Sequence, residues 1–342
     1  MLKNLIKKHR TIFLPDIGTF FDNDTKKASR IIDRISKLKL PIIKGEILHN
    51  ADICLNGKFN ETYFNNLSGK MNSVNFRKLI ERKVISLKNY EKIFKRIPKK
   101  TSLILSVYDF EGLDFALDQK CVAIKIASSN ITHKPLIEYA AKKSKSLIID
   151  TGHSTIEEIS RAINWARDKS SKLELILQHS PKAPPNPVNQ QNLLFMKNLG
   201  SIFNVQYGLS DHHYGEEMLY AATALGAVVV EKGVCEDNSK QDQDRAHALN
   251  LSKVKEVNEK IINIANSIGD GTRYLRKDRK KYNSRMCLVA KKNIIKGEKI
   301  TLEKLRFAFP PIGIGVEDID FYLGKIINVN KKKGLPLLKK DF

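Results

Sequence analysis

The stretch Gly208–Gly215, which reads Gly-Leu-Ser-Asp-His-His-Tyr-Gly, carries the residue types best suited to chemistry. Ser210 offers a hydroxyl, Asp211 a carboxylate and His212 an imidazole within three consecutive positions. The stretch follows the apolar run Ile202–Val205, which we predict to be a strand, and it precedes a helix-like segment. Parallel α/β folds place their reactive groups at such strand-to-helix connections. We therefore predict the functional site at this point of the chain.

Two lysines end other predicted strands. Lys44 follows the apolar run Pro41–Ile43, and Lys125 lies within Val122–Ile126. A lysine that points from the end of a strand into a buried mouth is costly unless an anion accompanies it. Both residues are therefore candidate ligands for an anionic substrate, the alternative being that their ammonium groups extend to water at the rim.

Eight short apolar runs recur along the first part of the chain, with helix-like stretches between them. Near-continuous apolar character is typical of parallel strands that are buried on both faces. Thr155 is a candidate N-cap for one of the intervening helices. Eight strands, each with a helix after it, predict a (β/α)₈ TIM barrel. The runs are Ile12–Leu14, Pro41–Ile43, Leu103–Val107, Val122–Ile126, Ser146–Ile149, Leu173–Leu177, Ile202–Val205 and Ala227–Val230.

The chain divides into a predicted barrel domain at 1–269, a linker at 270–284 and a small β-rich domain at 285–342. Gly269 is a stop signal after the last predicted barrel helix. The segment after it is polar, basic and glycine-containing, as expected of a linker. Within the barrel, the interval between Ile43 and Leu103 is longer than one repeat needs, so an extended loop there is a candidate lid.

Composition limits the classes of protein to be considered. The chain has 342 residues and a formal net charge of +23, with lysines spread along its whole length. This distribution favours a solvated charged surface, and no nucleic-acid recognition motif accompanies it. No run of 18 apolar residues predicts a membrane span, and no signal peptide is indicated. The four scattered cysteines predict reduced thiols in a soluble, cytoplasmic protein.

Several landmarks together resemble the sialic acid (N-acetylneuraminate) synthase family, including its C-terminal antifreeze-like (SAF) domain. The landmarks of the barrel are Asp16-Ile-Gly18, Lys125-Ile-Ala-Ser128, Thr151-Gly152, Gly208–His212 and Glu231-Lys232. In the tail, the pattern runs through Cys287–Ala290, Ile294–Glu298, Pro310–Ile314 and Leu323–Lys325. Their common order and spacing make this chain similar to a divergent member of that family.

The resemblance implies a reaction between phosphoenolpyruvate and an N-acylated amino sugar, giving a sialic-acid-like 2-keto sugar acid and phosphate. It also implies a divalent metal, Mn²⁺ or Mg²⁺, that polarises the aldehyde of the open-chain sugar. A homodimer in which each tail domain covers the barrel mouth of its partner is a further implication. Transfer of the motifs to this sequence predicts Asp16, Asp211 and Glu231 as catalytic residues. It predicts Lys44, Lys125, Ser128 and Ser210 as ligands of phosphoenolpyruvate. Lys182 and Arg306 lie where the chain departs from the family pattern, and they are candidate ligands on the sugar side.

The metal site of that pattern is incomplete in this chain. His212 matches the first metal histidine, whereas the position of the second is Gly233, which has no side chain to offer. His179, just after the sixth predicted strand, is our candidate for the replacement. Other departures lie on the sugar side, where Phe309 stands at the place of an arginine and Asp242–Arg245 replaces a Gly-Pro-Asp-His stretch.

Two functions follow from these observations. The first is a divergent synthase with a changed acceptor sugar, which the retained anion-binding residues favour. The alternative is a non-catalytic relative that binds a sugar or anion and acts as a partner in glycan biosynthesis, which Gly233 and Phe309 favour. Conserved architecture alone does not decide between them.

Overall fold

A computed structural model describes residues 2–65, 68–181, 188–236, 244–273 and 284–342. The chain forms two compact units, Met1–Asp270 and Gly271–Phe342. Among the described residues, no helix combines the length and the apolar character that crossing a lipid bilayer requires. All four cysteines are free thiols.

The first unit is built around a closed sheet. Strands β1, β2 and β5–β10, as bounded below, pair in parallel in this order, and β1 also pairs with β10. This closure confirms the predicted eight-stranded barrel. In chain order the strands of the unit are β1 (Ile12–Asp16), β2 (Ile42–Glu46), β3 (Asn60–Asn65), β4 (Lys70–Asn75), β5 (Ser102–Val107), β6 (Ala123–Ile126), β7 (Ser146–Asp150), β8 (Glu174–His179), β9 (Gln206–Asp211), β10 (Val229–Cys235) and β11 (Leu249–Asn250).

Amphipathic helices cover the outside of the barrel. Helix α7, for example, begins with a capping box in which Thr155 and Glu158 satisfy each other's backbone N–H groups, as predicted for Thr155. Trp165, the single tryptophan of the chain, lies half-buried on the same helix against the outer core. The helices are α1 (Leu2–His9), α2 (Thr25–Lys37), α3 (Phe76–Glu81), α4 (Leu87–Phe94), α5 (Phe110–Asp118), α6 (Lys134–Lys143), α7 (Ile156–Lys169), α8 (Leu193–Phe203), α9 (Glu217–Ala224) and α10 (Val254–Ser267).

The inside of the barrel consists of two layers of side chains, because alternate residues of a strand point to the same side. The layer nearer the amino ends of the strands, which we call the apolar layer, is a buried cluster. Its strand residues are Ile12, Leu14, Ile42, Ile104, Ala123, Ile148, Ile176 and Val229. Helix α1 adds Leu2 and Ile6 to this cluster, so it covers the amino end of the barrel.

Two residues further along each strand, every inward position is polar. We call this set the polar layer. Its members are Asp16, Lys44, Ser106, Lys125, Asp150, Gln178, Ser210 and Glu231. The alternation therefore places eight polar side chains, one from each strand, together at the carboxyl end of the barrel.

The seventh strand was placed wrongly by the sequence pattern. Ile202 and Phe203 are the last residues of α8, and the strand is β9, Gln206–Asp211. A four-residue apolar run does not distinguish the end of a buried helix from a strand. The segment that begins at Gly208 consequently lies inside the barrel wall, where a Cβ on Gly208 would stand 2.4 Å from the backbone oxygen of Val229.

The long interval after β2 folds into a hairpin and two short helices. β3 and β4 pair antiparallel. Helix α4 attaches the interval to the barrel, since the Tyr90 hydroxyl accepts a hydrogen bond from the backbone N–H of Leu48 at 3.1 Å. Its role as a lid stays a prediction.

The second unit is small and β-rich. Strands β12 (Cys287–Ala290) and β13 (Leu305–Ala308) pair antiparallel, and helix α11 (Ile319–Tyr322) follows. Its core is a separate apolar cluster that includes Leu288, Ile300 and Leu337. Most of the predicted linker, residues 274–283, lies outside the described part of the chain.

Candidate active site

A cavity of about 550 Å³ opens above the polar layer, at the carboxyl ends of the strands. This is the end at which barrels of this type carry their active sites. The strand ends contribute most of the wall, and the insertion after β2 contributes Glu61 and Phe76. The volume is within the range of small-molecule sites in proteins.

Lys125 lies at the centre of the polar layer and is 3% exposed. Its ammonium group is 2.7 Å from Glu231 Oε1, 3.0 Å from Asp150 Oδ2 and 3.3 Å from Ser210 Oγ. Burial opposes its positive charge, but the two carboxylates outweigh this effect and raise its pKa. Lys125 is therefore a firmly protonated cation on the floor of the cavity.

Lys44 is the second buried cation. Its Nζ lies 2.6 Å from Asp16 Oδ2 and 3.4 Å from Glu231 Oε1. Glu231 thus bridges Lys44 and Lys125. Burial alone would disfavour the Glu231 carboxylate, but Lys125 and Lys44 overcome it and lower its pKa to about 2. Asp16 behaves oppositely, because burial raises its pKa despite the attraction of Lys44.

The two cations face three carboxylates. Asp16, Asp150 and Glu231 surround Lys44 and Lys125 with nearly balanced charge. Since Asp16 has the raised pKa, it is the member of the group that most readily takes up a proton. Protonation of Asp16 would leave Lys44 less fully compensated and so better able to hold an anion.

The other predicted residues of this site also come together. Ser128, Ser210 and Asp211 line the cavity. Asp211 is occupied by Lys232, whose ammonium lies 2.8 Å from Asp211 Oδ2, with both side chains wholly buried. Lys232 also donates to the backbone carbonyl of His213. Asp211 and Lys232 therefore fix the loop that carries His212.

Glu46 is a site residue that the motifs did not predict. It lines the cavity and accepts a hydrogen bond from the Tyr108 hydroxyl. Burial raises its pKa to about 7, against the attraction of Lys44. The signal was present in the sequence, because Glu46 stands two residues after Lys44 on the same strand and so shares its inward face.

Two histidines meet at the wall of the cavity. The rings of His212 and His247 are 4.8 Å apart between centroids, at 82° to each other. His212 Nδ1 is 3.1 Å from Ser180 Oγ. His247 is 4% exposed, and neither of its ring nitrogens has a hydrogen-bond partner in the described structure. Burial holds the pKa of both rings below the usual value, so both are neutral acceptors at neutral pH.

The space beside Gly233 is occupied by the side chain of Phe20. A Cβ placed on Gly233 would stand only 2.4 Å from Cζ of Phe20. Phe20 itself is buried in a small cluster with Cys235 and Ala248. The aromatic ring thus occupies the space into which a side chain at 233 would point.

Two protein-family models match the chain. The NeuB family model matches residues 31–273, most of the chain, and the SAF domain model matches residues 285–342. The chain belongs to the NeuB family. This confirms the resemblance stated above, including the tail domain.

Relatives and solved structures agree with this assignment. The chain is 27% identical to an N,N'-diacetyllegionaminic acid synthase of Campylobacter jejuni over 95% of its own length and 98% of the relative's. It is 29% identical to a pseudaminic acid synthase of Helicobacter pylori over 69% of this chain and 70% of that one. A sialic acid synthetase structure from Leptospira borgpetersenii superposes with a TM-score of 0.67 at 22% identity, covering 78% of this chain and 88% of that chain, which supports the fold alone.

His179, our predicted replacement ligand, is committed elsewhere in this NeuB family chain. Its Nε2 lies 2.9 Å from the backbone carbonyl of Gln191, and its ring packs edge-on against Phe195. His179 is not among the described residues that line the cavity. The structure therefore brings His247, and not His179, to the wall of the cavity beside His212.

Two predicted substrate ligands stay predictions. Lys182 lies outside the described residues. Arg306 belongs to the second unit, where it is exposed on β13. Within the described residues, no set of three or more His, Cys, Asp or Glu side chains is arranged to hold a metal ion.

Proposed function

We propose that this protein condenses phosphoenolpyruvate with an open-chain N-acylated amino sugar, releasing phosphate and a sialic-acid-like 2-keto sugar acid. Its relatives in the NeuB family include synthases of legionaminic and pseudaminic acids. The finer claim, that this chain performs such a condensation, rests on its own polar layer.

The observation that carries the proposal is the pair of buried cations, Lys44 and Lys125, beneath the cavity. Phosphoenolpyruvate is a small molecule with a carboxylate and a phosphate, and such groups bind where fixed cations and hydroxyls converge. Ser128 and Ser210 supply hydroxyls at the same wall. A relative that bound only a neutral sugar would have no reason to bury two lysines in a barrel, whereas a non-catalytic relative that binds an anion stays an alternative.

The proposed reaction forms one carbon–carbon bond and breaks the bond between carbon 2 and the phosphate oxygen. Carbon 3 of phosphoenolpyruvate attacks the aldehyde carbon of the sugar, a carbon–carbon bond forms, and the aldehyde oxygen takes up a proton. Water adds to the cationic carbon 2 and loses a proton, and the resulting hemiketal expels inorganic phosphate to leave the 2-keto acid.

Asp16 and Glu231 have different roles in the proposed reaction. Asp16, with its raised pKa, is the group that exchanges protons with the reacting atoms. Glu231, held ionised by both lysines, stays charged and favours the cationic character that develops at carbon 2. Asp211 acts by fixing the loop of His212 through Lys232. Arg306 and Lys182 remain proposed sugar-side ligands.

A divalent cation, when bound, supplies Lewis-acid polarisation of the aldehyde oxygen. His212 is the residue that we propose to hold it, since its Nε2 is left available by the contact of Nδ1 with Ser180. The unpartnered nitrogens of the neighbouring His247 support a role for this wall in holding such an ion. Association into a homodimer and a cytoplasmic location also remain proposals, the former to be tested by analytical ultracentrifugation.

The decisive experiment measures phosphate release from phosphoenolpyruvate across a panel of aldoses. The panel contains N-acetylmannosamine, its 6-phosphate and di-N-acylated dideoxy sugars, each with Mn²⁺, Mg²⁺ or EDTA. We expect release that depends on one class of aldose. Lys125→Met should reduce it by about 10²–10³-fold, as loss of a transition-state electrostatic contact does. Lys172→Met, an exposed lysine outside the cavity, is the matched control.

Folded wild-type protein that releases no phosphate with any aldose would overturn the proposal. It would favour the alternative of a non-catalytic sugar- or anion-binding relative, for which the filled position 233 is the structural argument. Equal activity of Lys125→Met and Lys172→Met would contradict the role given to the polar layer.

A further inference from the structure

The imidazole of His247 is the most conspicuous buried group that the proposed reaction does not yet use. It is 4% exposed and lines the cavity, and both of its ring nitrogens are unpartnered in the described structure. Leaving a buried donor or acceptor unsatisfied is unfavourable, so an unpartnered buried imidazole indicates that a ligand binds there.

The position of His247 depends on the same aromatic ring that fills position 233. Phe20 and Ala248, the neighbour of His247, belong to the same small buried cluster. The Arg245 guanidinium donates to the Phe20 carbonyl at 2.8 Å. Immediately afterwards β11 pairs with β10, aligning Leu249 with Val234. These contacts hold the segment on both sides of His247 against the strand that carries Gly233.

The separation of the two rings suits a shared ion. Two imidazoles that bind one ion through nitrogens about 2.1 Å from it have ring centres roughly 5 Å apart at ordinary coordination angles. The centroids of His212 and His247 are 4.8 Å apart. His212 still has Nε2 free of the contact with Ser180, so each ring has a nitrogen to offer.

We infer that His247 and His212 together bind one divalent transition-metal ion, with His247 supplying the imidazole that Gly233 cannot. Phe20, which blocks position 233, also packs beside the segment that delivers His247, so the lost side chain and its replacement are parts of one local rearrangement. Imidazole pairs favour transition-metal ions such as Cu²⁺ or Zn²⁺ over Ca²⁺, and the oxygen ligands of water and substrate also suit Mn²⁺. Water and substrate oxygens complete the coordination.

This inference rests on the proposed function only for what the ion does, because the binding of the ion needs no substrate. Metal binding without phosphate release would leave the site standing and overturn the synthase. Phosphate release that resists EDTA, together with no metal binding, would do the reverse.

The test uses metal-free full-length protein and two probes. Mn²⁺ titration followed by electron paramagnetic resonance of the free ion gives affinity and stoichiometry. Bound Cu²⁺, examined by electron spin echo modulation from the remote imidazole nitrogens, gives the number of coordinated histidines. We expect one Mn²⁺ per chain and two imidazoles in the wild type.

His212→Ala and His247→Ala should each weaken Mn²⁺ binding by more than about 10-fold, since removal of a ligand should exceed the loss caused by outer-shell changes. Each should leave one imidazole on Cu²⁺, and the double variant should leave none. His179→Ala is the matched control, another buried histidine near the barrel mouth, and should bind as the wild type does.

Circular dichroism melting identifies any variant that fails to fold, and His247→Asn provides a smaller polar replacement that keeps the site filled. The inference is overturned if the wild type binds no Mn²⁺, if folded His247→Ala or His247→Asn binds it with unchanged affinity, or if His179→Ala causes the loss.

Discussion

The two layers inside the barrel differ in almost everything except their backbone. In the apolar layer, side chains such as Leu14, Ile104 and Ile148 fill the space and are fully buried. In the polar layer, only two residues further along each strand, Lys125 and Glu231 are buried nearly as deeply. The fold tolerates these charges because each lies against an opposite charge at hydrogen-bonding distance. Depth of burial alone therefore does not decide where a charge can stand in this barrel.

The largest effect is expected when a lysine is placed in the apolar layer, where no carboxylate can pair with it. Ile148 on β7 is the register neighbour of Lys125 on β6, but it lies among apolar side chains. We expect Ile148→Lys to lower the free energy of unfolding by several kcal/mol, because an unpaired buried charge is not compensated. Urea unfolding measures the change. Ile148→Met, of similar volume, should cost less than about 1.5 kcal/mol; equal midpoints for the two variants would refute the argument.

The pH dependence of the free energy of unfolding distinguishes two glutamates, Glu46 of the cavity wall and Glu231 of the polar layer. The pKa of Glu46 is raised to about 7, so the folded state binds its proton more tightly than the unfolded state does. Its contribution to stability is present below about 4.5 and is lost as the pH rises through about 7. The pKa of Glu231 is lowered to about 2, so its contribution is present above about 4.5 and is lost as the pH falls towards about 2.

Urea unfolding across pH separates these two glutamates. Relative to the wild type, Glu46→Gln should lack the decline between about pH 4.5 and 7, and Glu231→Gln should lack the decline between about pH 4.5 and 2. Each variant serves as the control for the other. Parallel pH profiles for the two variants would show that the environments of the two carboxyls do not differ as described.

The smallest effect is expected at the edge of the polar layer, where Gly233 meets Phe20. Gly233→Ala should lower the free energy of unfolding by about 1–3 kcal/mol, because its Cβ would stand 2.4 Å from the ring. The same substitution in a Phe20→Ala background should cost less, since the obstructing ring is gone. A double-mutant cycle by urea unfolding measures this coupling, and strictly additive changes would argue against the contact.

Much of the fold could be predicted from the sequence. The apolar runs predicted the eight-stranded barrel, and the motifs predicted the family and its tail domain. The seventh strand was misplaced because Ile202, Phe203 and Val205 resemble a short strand, and Asn204, whose left-handed conformation ends α8, was not taken as a helix C-cap.

Some residues of the site could be predicted from local sequence patterns, whereas others depend on contacts between distant parts of the chain. Lys125 and Glu231 were predicted individually from motifs, and the alternation along each strand brings them together. Glu46 could have been found by the same alternation, two residues after Lys44. His247 could not, because its place depends on contacts such as the hydrogen bond from Arg245 to the Phe20 carbonyl, which joins residues more than two hundred positions apart. No local pattern in the sequence encodes such a contact.

The half-buried Trp165 on α7 has a practical consequence for every unfolding experiment described above. As the single tryptophan, it dominates the fluorescence of the chain, and it belongs to the barrel. Tryptophan emission will therefore report the loss of the barrel's outer packing, and it will not report the unfolding of the second unit. Melting of that unit has to be followed through another chromophore, such as the buried Tyr322 of its own core.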